Sequence, residues 1–174
     1  MTAIQYIEYL LENNWESSID GRWNDVPQPW IGRESENTKK TLRNKDILEV
    51  QDGGSASIEP ASLGWLEETS EYLVTVDIRT ADRRIKGQKV DGRIRLEGER
   101  DENNEAERYG GLIGEVKRIL DVHRRGDKEW DLVEGYEVND ISGTTGRGHY
   151  RAAAEIRLHE IAATIDPSVT LDGQ

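Results

Sequence analysis

Tyr72, Val74, Val76 and Ile78 alternate with Glu71, Thr75, Asp77 and Arg79 along one ten-residue stretch. Side chains of an extended chain point to opposite faces in turn, so this spacing predicts a strand with one apolar face and one ionised face. Such a strand cannot stand alone. It requires neighbouring strands at its edges and a cover over its apolar side, which narrows the fold to a sheet packed on one face. The pattern recurs near the end of the chain, where Tyr150, Ala152, Ala154, Ile156 and Leu158 share one parity and Arg151, Glu155 and Arg157 take the other. After Leu158 the parity breaks, because Glu160 and Ile161 exchange faces, so a bulge or the strand's end is expected there. Trp130 to Ile141 and Arg147 to Ile165 are expected to form a hairpin about the Gly-rich segment Gly143 to Gly148.

Two segments have the helical period that a cover needs. Thr2 and Gln5 make a capping-box pattern, followed by Ile4, Ile7, Leu10 and Leu11 at helical spacing, which predicts a helix over Thr2 to Asn14. From Glu105 to Arg125, Leu112, Ile113, Val116, Ile119, Leu120 and His123 fall on one stripe, and Gly126 supplies a stop. Ile47 to Val50 is expected to be a short strand ended by Gly53-Gly54, with Ser55 to Glu59 a further strand or an irregular edge.

The order of these elements implies an α+β fold, a mainly antiparallel sheet with two helices on one face. At 174 residues one domain over the whole chain is expected. Within it, residues 15–46 form a long connection pinned by Trp15, Trp23 and Trp30. Residues 82–100 form an inserted, projecting basic hairpin or loop around an Asp91-Gly92 turn signal, and 167–174 a flexible tail after Pro167.

Charge constrains habitat more than partners. Charged residues are 33% of the chain and the net charge is −12, with Arg outnumbering Lys among the 23 basic residues. Carboxylates hold hydration where salt competes for water, and their repulsion is screened within about 3 Å at 1 M salt, so this balance suggests a high-salt host. Five Trp, six Tyr and the periodic segments oppose a disordered acidic chain. There is no Cys, which removes disulfides and Cys-ligated zinc. No basic-then-apolar leader opens the chain and no run nears the ~20 apolar residues of a membrane span, so a protein made and used in solution is expected.

Catalytic constellations are thin. His123, His149 and His159 are the three histidines, and the last two would lie about 33 Å apart on one strand, too far to share an ion. His159-Glu160 begins like a zincin motif, but Ala163 stands where the second His belongs. Asp77 with Glu115-x-Lys117 is similar to the Asp…Glu-x-Lys pattern of Mg²⁺-dependent restriction-type nucleases. That chemistry needs Glu and Lys on one side of a strand, whereas here they fall on an amphipathic helix, pointing roughly 200° apart. Two solvated charges are the simpler reading. Gly143, Gly146 and Gly148 lack the Lys-Ser/Thr pair of a phosphate loop. The basic run from Arg83 to Arg95 has no interleaved aromatic for base stacking and precedes the acidic run Glu97 to Glu107. Pairing with an acidic neighbouring subunit, or with its own following segment, therefore outweighs nucleic-acid contact.

The N-terminal helix, Lys45-Asp46-Ile47-Leu48-Glu49-Val50, the strand from Tyr72 to Thr80, the helix Gly114-Glu-Val-Lys-Arg-Ile-Leu120 and the closing hairpin follow one another in an order that resembles the tail-terminator (tail-completion) proteins of long-tailed viruses. The resemblance covers most of the chain and rests on order and spacing. It departs at residues 83–99, longer than the connection expected there, and in the Trp-rich region before Asp46, which carries no motif. It implies a structural, non-catalytic virion protein without cofactor or metal. Such a subunit assembles in the host cytoplasm into a ring, usually a hexamer, that caps the tail tube and meets a neck protein while DNA passes through the lumen. Head-closure subunits are a second reading of the same kind. Expected subunit or lumen contacts are Asp77, Arg79, Arg83, Arg84, Lys86, Arg93, Arg95, Arg151, Glu155 and Arg157.

Overall fold

A computed structural model describes residues 1–16, 28–33, 45–62, 65–85, 87–100, 108–109, 111–124, 130–132, 137–139 and 148–160. The order is α1 (Ala3–Asn14), β1 (Trp30–Arg33), β2 (Ile47–Ser62), β3 (Trp65–Ala81), β4 (Arg83–Ile85), β5 (Gln88–Val90), α2 (Gly92–Glu97), β6 (Glu99–Arg100), β7 (Arg108–Tyr109), α3 (Leu112–Val122), β8 (Trp130–Leu132), β9 (Glu137–Asn139) and β10 (His149–Glu160). The fold is α+β, as expected.

The main sheet runs β1-β2-β3-β10-β8, with β9 also paired to β10. All its pairings are antiparallel except β1 with β2 at one edge. On one face, Leu48 and Val50 of β2, Val74, Val76 and Ile78 of β3, and Ala152, Ala154, Ile156 and Leu158 of β10 are all buried, at the parity expected for β3 and β10. Tyr6, Ile7, Leu10 and Leu11 of α1 and Leu112, Val116, Ile119 and Leu120 of α3 join them in one core. Removing each large side chain from water contributes about 1.5–3 kcal/mol, so this interior supplies most of what holds the helices to the sheet. At the far end Trp130 meets Tyr72 edge-on at 5.2 Å and its indole N–H donates to the Met1 carbonyl.

The start of α1 follows its sequence signal. Thr2 Oγ1 accepts from the Gln5 amide and Gln5 Oε1 accepts from the Thr2 amide, so both reciprocal caps are made.

Several boundaries move. The Gly53-Gly54 step does not end β2, which continues to Ser62 through a register shift between Asp52 and Gly54. A bulge accommodates what a flat ladder could not. The long Trp-bearing connection contains β1, and Trp15 packs against the core. Trp23 lies outside the described residues, as do Gly143, Gly146, Gly126, Ala163 and Pro167. The second long helix begins at Leu112, not near Glu105. Before it, β7 pairs with β6, and Gly111 turns the chain at φ +103°, its Cα so near Gly98 that a Cβ would meet the Gly98 nitrogen at 2.4 Å.

The 82–100 insertion is only half a hairpin. β4 and β5 pair as expected, but Asp91-Gly92 starts α2, with the Asp91 side chain accepting from the Arg93 amide as an N-cap. The same dipeptide suits a hairpin turn or a helix start, and Leu96, fully buried in the core, decides for the helix.

Ile119→Ala is expected to lower stability by about 2–5 kcal/mol, because a fully buried branched side chain is removed from the seam between α3 and the sheet. Thr2→Ala should cost about 1 kcal/mol through loss of the cap. Urea unfolding of both variants checks the contrast.

Candidate functional site

The sheet face turned away from the helices was expected to be open to solvent. Its centre is not. Ile47, Glu49 and Asp77 are only 2%, 3% and 1% exposed. Glu49 and Asp77 stand directly opposite each other on β2 and β3, a like-charge pairing that is unfavourable by itself. Arg79 resolves it: Nε donates to Asp77 Oδ2 at 2.8 Å and Nη2 to Glu49 Oε2 at 2.5 Å. Arg151, the register partner of Arg79 on β10, donates from Nε to Asp77 Oδ1 at 2.6 Å, and Gln51 donates to Glu49 Oε1 at 2.7 Å. The result is a continuous ladder over three strands in which each carboxylate oxygen named has a donor. The half-exposed Arg79 and Arg151 cover the buried carboxylates, their guanidiniums bonded to them.

A second node closes one end of the sheet. Asp46, fully buried before β2, accepts through Oδ1 from Thr80 Oγ1 at 2.6 Å and from Arg83 Nη2, and through Oδ2 from Arg95 Nε at 2.9 Å. One carboxylate therefore ties β2, β3, β4 and α2 together. Next to it, Asp82 donates its amide to the Gly148 carbonyl and accepts the Gly92 amide on Oδ1, both at 2.8 Å. A Cβ on Gly92 would meet the Ala81 carbonyl carbon at 2.7 Å and Tyr150 Cδ2 at 2.8 Å, so α2 can start this close to β3 and β10 only with glycine there.

These nodes redistribute the expected contact residues. Asp77, Arg79 and Arg151 come together in the ladder. Glu155 and Arg157 sit further along β10 on the same side and are exposed. Arg84 and Arg93 are exposed, Arg93 Nε lying 3.5 Å from Glu97 Oε2 within α2. Lys86 falls outside the described residues. Arg83 and Arg95 depart from expectation: at 8% and 4% exposure they are internal braces on Asp46 and present no charge to a neighbour. Asp46, Glu49, Thr80 and Asp82 were missed. Their only sequence signal is a carboxylate or hydroxyl at the end of, or at outward parity in, an otherwise apolar strand.

The nuclease-like triad is not assembled. Asp77 points away from the helices and is occupied by two guanidiniums. Glu115 belongs to α3 and is not the solvated charge expected: it is 4% exposed and accepts the Glu16 amide at 2.7 Å and two Arg118 donors at 3.0 and 2.7 Å. Arg118 also donates to the Asn14 carbonyl at 2.6 Å, stitching the end of α1 to α3, and this bonding with Glu115 raises its already high pKa against the opposing effect of burial. Lys117 is exposed on the other side of the helix. His149 and His159 occupy the two ends of β10, and His123 caps α3. Among the described residues no three His, Asp or Glu side chains gather to hold a metal ion. No helix among them is long and apolar enough to cross a membrane.

Fold and nodes together define an α+β protein whose sheet is greasy on the helical side and cross-braced by ion pairs on the other. A scan against family models, a search of curated proteins and a search of solved structures each gave no significant match.

Asp46→Ala should cost about 3–5 kcal/mol, because it takes the carboxylate from the buried Arg83 and one partner from Arg95, and adding Arg83→Met should recover part of the loss; chemical unfolding of the single and double variants measures both. The Tyr150 phenol is raised above its usual value, first by burial and then by the charges of Asp82 and Asp91, with Arg93 opposing. The folded state thus keeps a proton that the unfolded chain releases. The contribution is complete below about pH 10 and falls as pH climbs through the folded value. Stability measured from pH 9 to 11.5 should decline less steeply in Tyr150→Phe than in the parent.

Proposed function

We propose that this chain is a structural subunit of a virion, one copy of a ring that caps the tail tube of a long-tailed virus and joins it to the neck. The observation that carries the reading is the division of labour across the sheet. One face is consumed by the helices, while the outer side of β10 presents Arg151, Glu155 and Arg157 to solvent in alternating sign. Opposite charges at fixed strand spacing are suited to registering identical copies, because each patch can meet its complement on the next subunit. The order of elements, which resembles that of tail terminators, supports the same reading.

On this reading the partners are other copies of the chain, most simply in a hexamer, the tube protein and a neck protein, with DNA in transit through the lumen. The protein does no chemistry. A head-closure role in the same neck uses the same surfaces and differs only in which partner is engaged. Cleavage of DNA is disfavoured by the saturation of Asp77 and Glu115 by arginine donors. A net charge of −12 makes copies repel in dilute buffer, so assembly should strengthen as salt approaches about 1 M.

Electron microscopy and light scattering of the purified protein in molar salt should reveal closed rings. Arg157→Glu, which makes two like charges of the Glu155/Arg157 pair, should shift the population toward folded monomers. Monomers alone from the parent protein at high concentration would sink the proposal.

A further inference from the structure

We propose that Arg83 holds a small monovalent inorganic anion, of the halide class, inside the protein at the end of the sheet where β4 and α2 close over Asp46. The Asp46 carboxylate is shared between two guanidiniums, through Oδ1 with Arg83 and through Oδ2 with Arg95. Arg83 reaches Asp46 and Thr80 through Nη2 alone, the latter at 3.4 Å. Its Nε and Nη1 are buried and have no acceptor among the described residues, in a residue 8% exposed.

Among the described residues the charge on Arg83 therefore meets a single carboxylate, one that Arg95 also contacts. Buried charges persist where they are paired and hydrogen-bonded, and an N–H hidden from solvent calls for an acceptor. A neutral acceptor would satisfy hydrogen bonds but leave the charge. An anion satisfies both.

Size and valence follow from the surroundings. Asp46 and Thr80 are fully buried and Arg95 is 4% exposed, so an acceptor beside Arg83 must be small to fit in this interior. A dianion such as sulfate or phosphate would bring two charges beside the Asp46 carboxylate, where like-charge repulsion in a low dielectric is strong. A single charge on a small ion lessens that repulsion and needs the least room.

The test has two arms. Thermal unfolding of the full chain is compared in sodium chloride and in sodium gluconate at equal molar ionic strength, for the parent and for Arg83→Met, which keeps a similar stem and removes the donors. The expected result is a midpoint about 5 °C higher in chloride for the parent, growing with chloride concentration as mass action requires, and absent in Arg83→Met. Crystals of the parent grown in bromide should give an anomalous peak within hydrogen-bonding distance of the Arg83 guanidinium, an arm that stands even if Arg83→Met fails to fold. A peak without any chloride-specific shift in the parent indicates an adventitious ion only and overturns the proposal. So does a site occupied by water, or a chloride effect that survives in a folded Arg83→Met protein.

Discussion

Two carboxylates that face each other with almost no water between adjacent strands would drive those strands apart. Glu49 and Asp77 are in that position, and β2 pairs with β3 because Arg79 reaches both. Burying a carboxylate is tolerable only when its oxygens are hydrogen-bonded and its charge is met nearby. The ladder achieves this with groups from three strands, so the register that brings the apolar residues onto the helices is also the register that brings Arg79 and Arg151 onto Asp77. A slip of one residue would put Val76 and Ile78 on the ionic side and Asp77 into the core. The two faces specify the same alignment independently.

The helical side is stitched by the same chemistry at its margins. Arg118 links α3 to the Asn14 carbonyl at the end of α1 and Glu115 links it to the Glu16 amide just beyond, and Asp46 links α2 and β4 to the ends of β2 and β3. Hydrophobic burial is non-directional and does not by itself choose how a helix lies on a sheet. The ion pairs at the ends of these helices are directional. In this molecule apolar area supplies the attraction and buried arginine–carboxylate contacts choose the geometry.

That arrangement decides the electrostatic character of the outer face in an acidic protein. The carboxylates in the central strands are buried on the outer face under their arginines, leaving half-exposed guanidiniums and the exposed charges of β10 at the surface. Composition alone would assign that face a strongly negative character. The structure gives it mixed sign. Under the proposed ring assembly, mixed sign suits repeated contact between like subunits better than a uniformly acidic sheet would.

Much of the architecture was legible in the residues. Val74-x-Val76-x-Ile78 and Ala152-x-Ala154-x-Ile156-x-Leu158 determined two strands and their buried faces, because a period of two leaves no other face to bury. Thr2 with Gln5 determined where α1 begins, since both halves of the cap lie within four residues of each other. These signals are local, so the chain carries them without a partner. The fates of Arg83, Arg95, Asp77 and Glu115 could not be read that way. Each was expected at a surface as a charged side chain, and each is buried against a group far off in sequence, as Asp46 is from Arg95. Only the tertiary structure could decide these, because the free energy of a buried charge depends on which opposite charges the fold brings within hydrogen-bonding distance, and sequence spacing does not encode that distance.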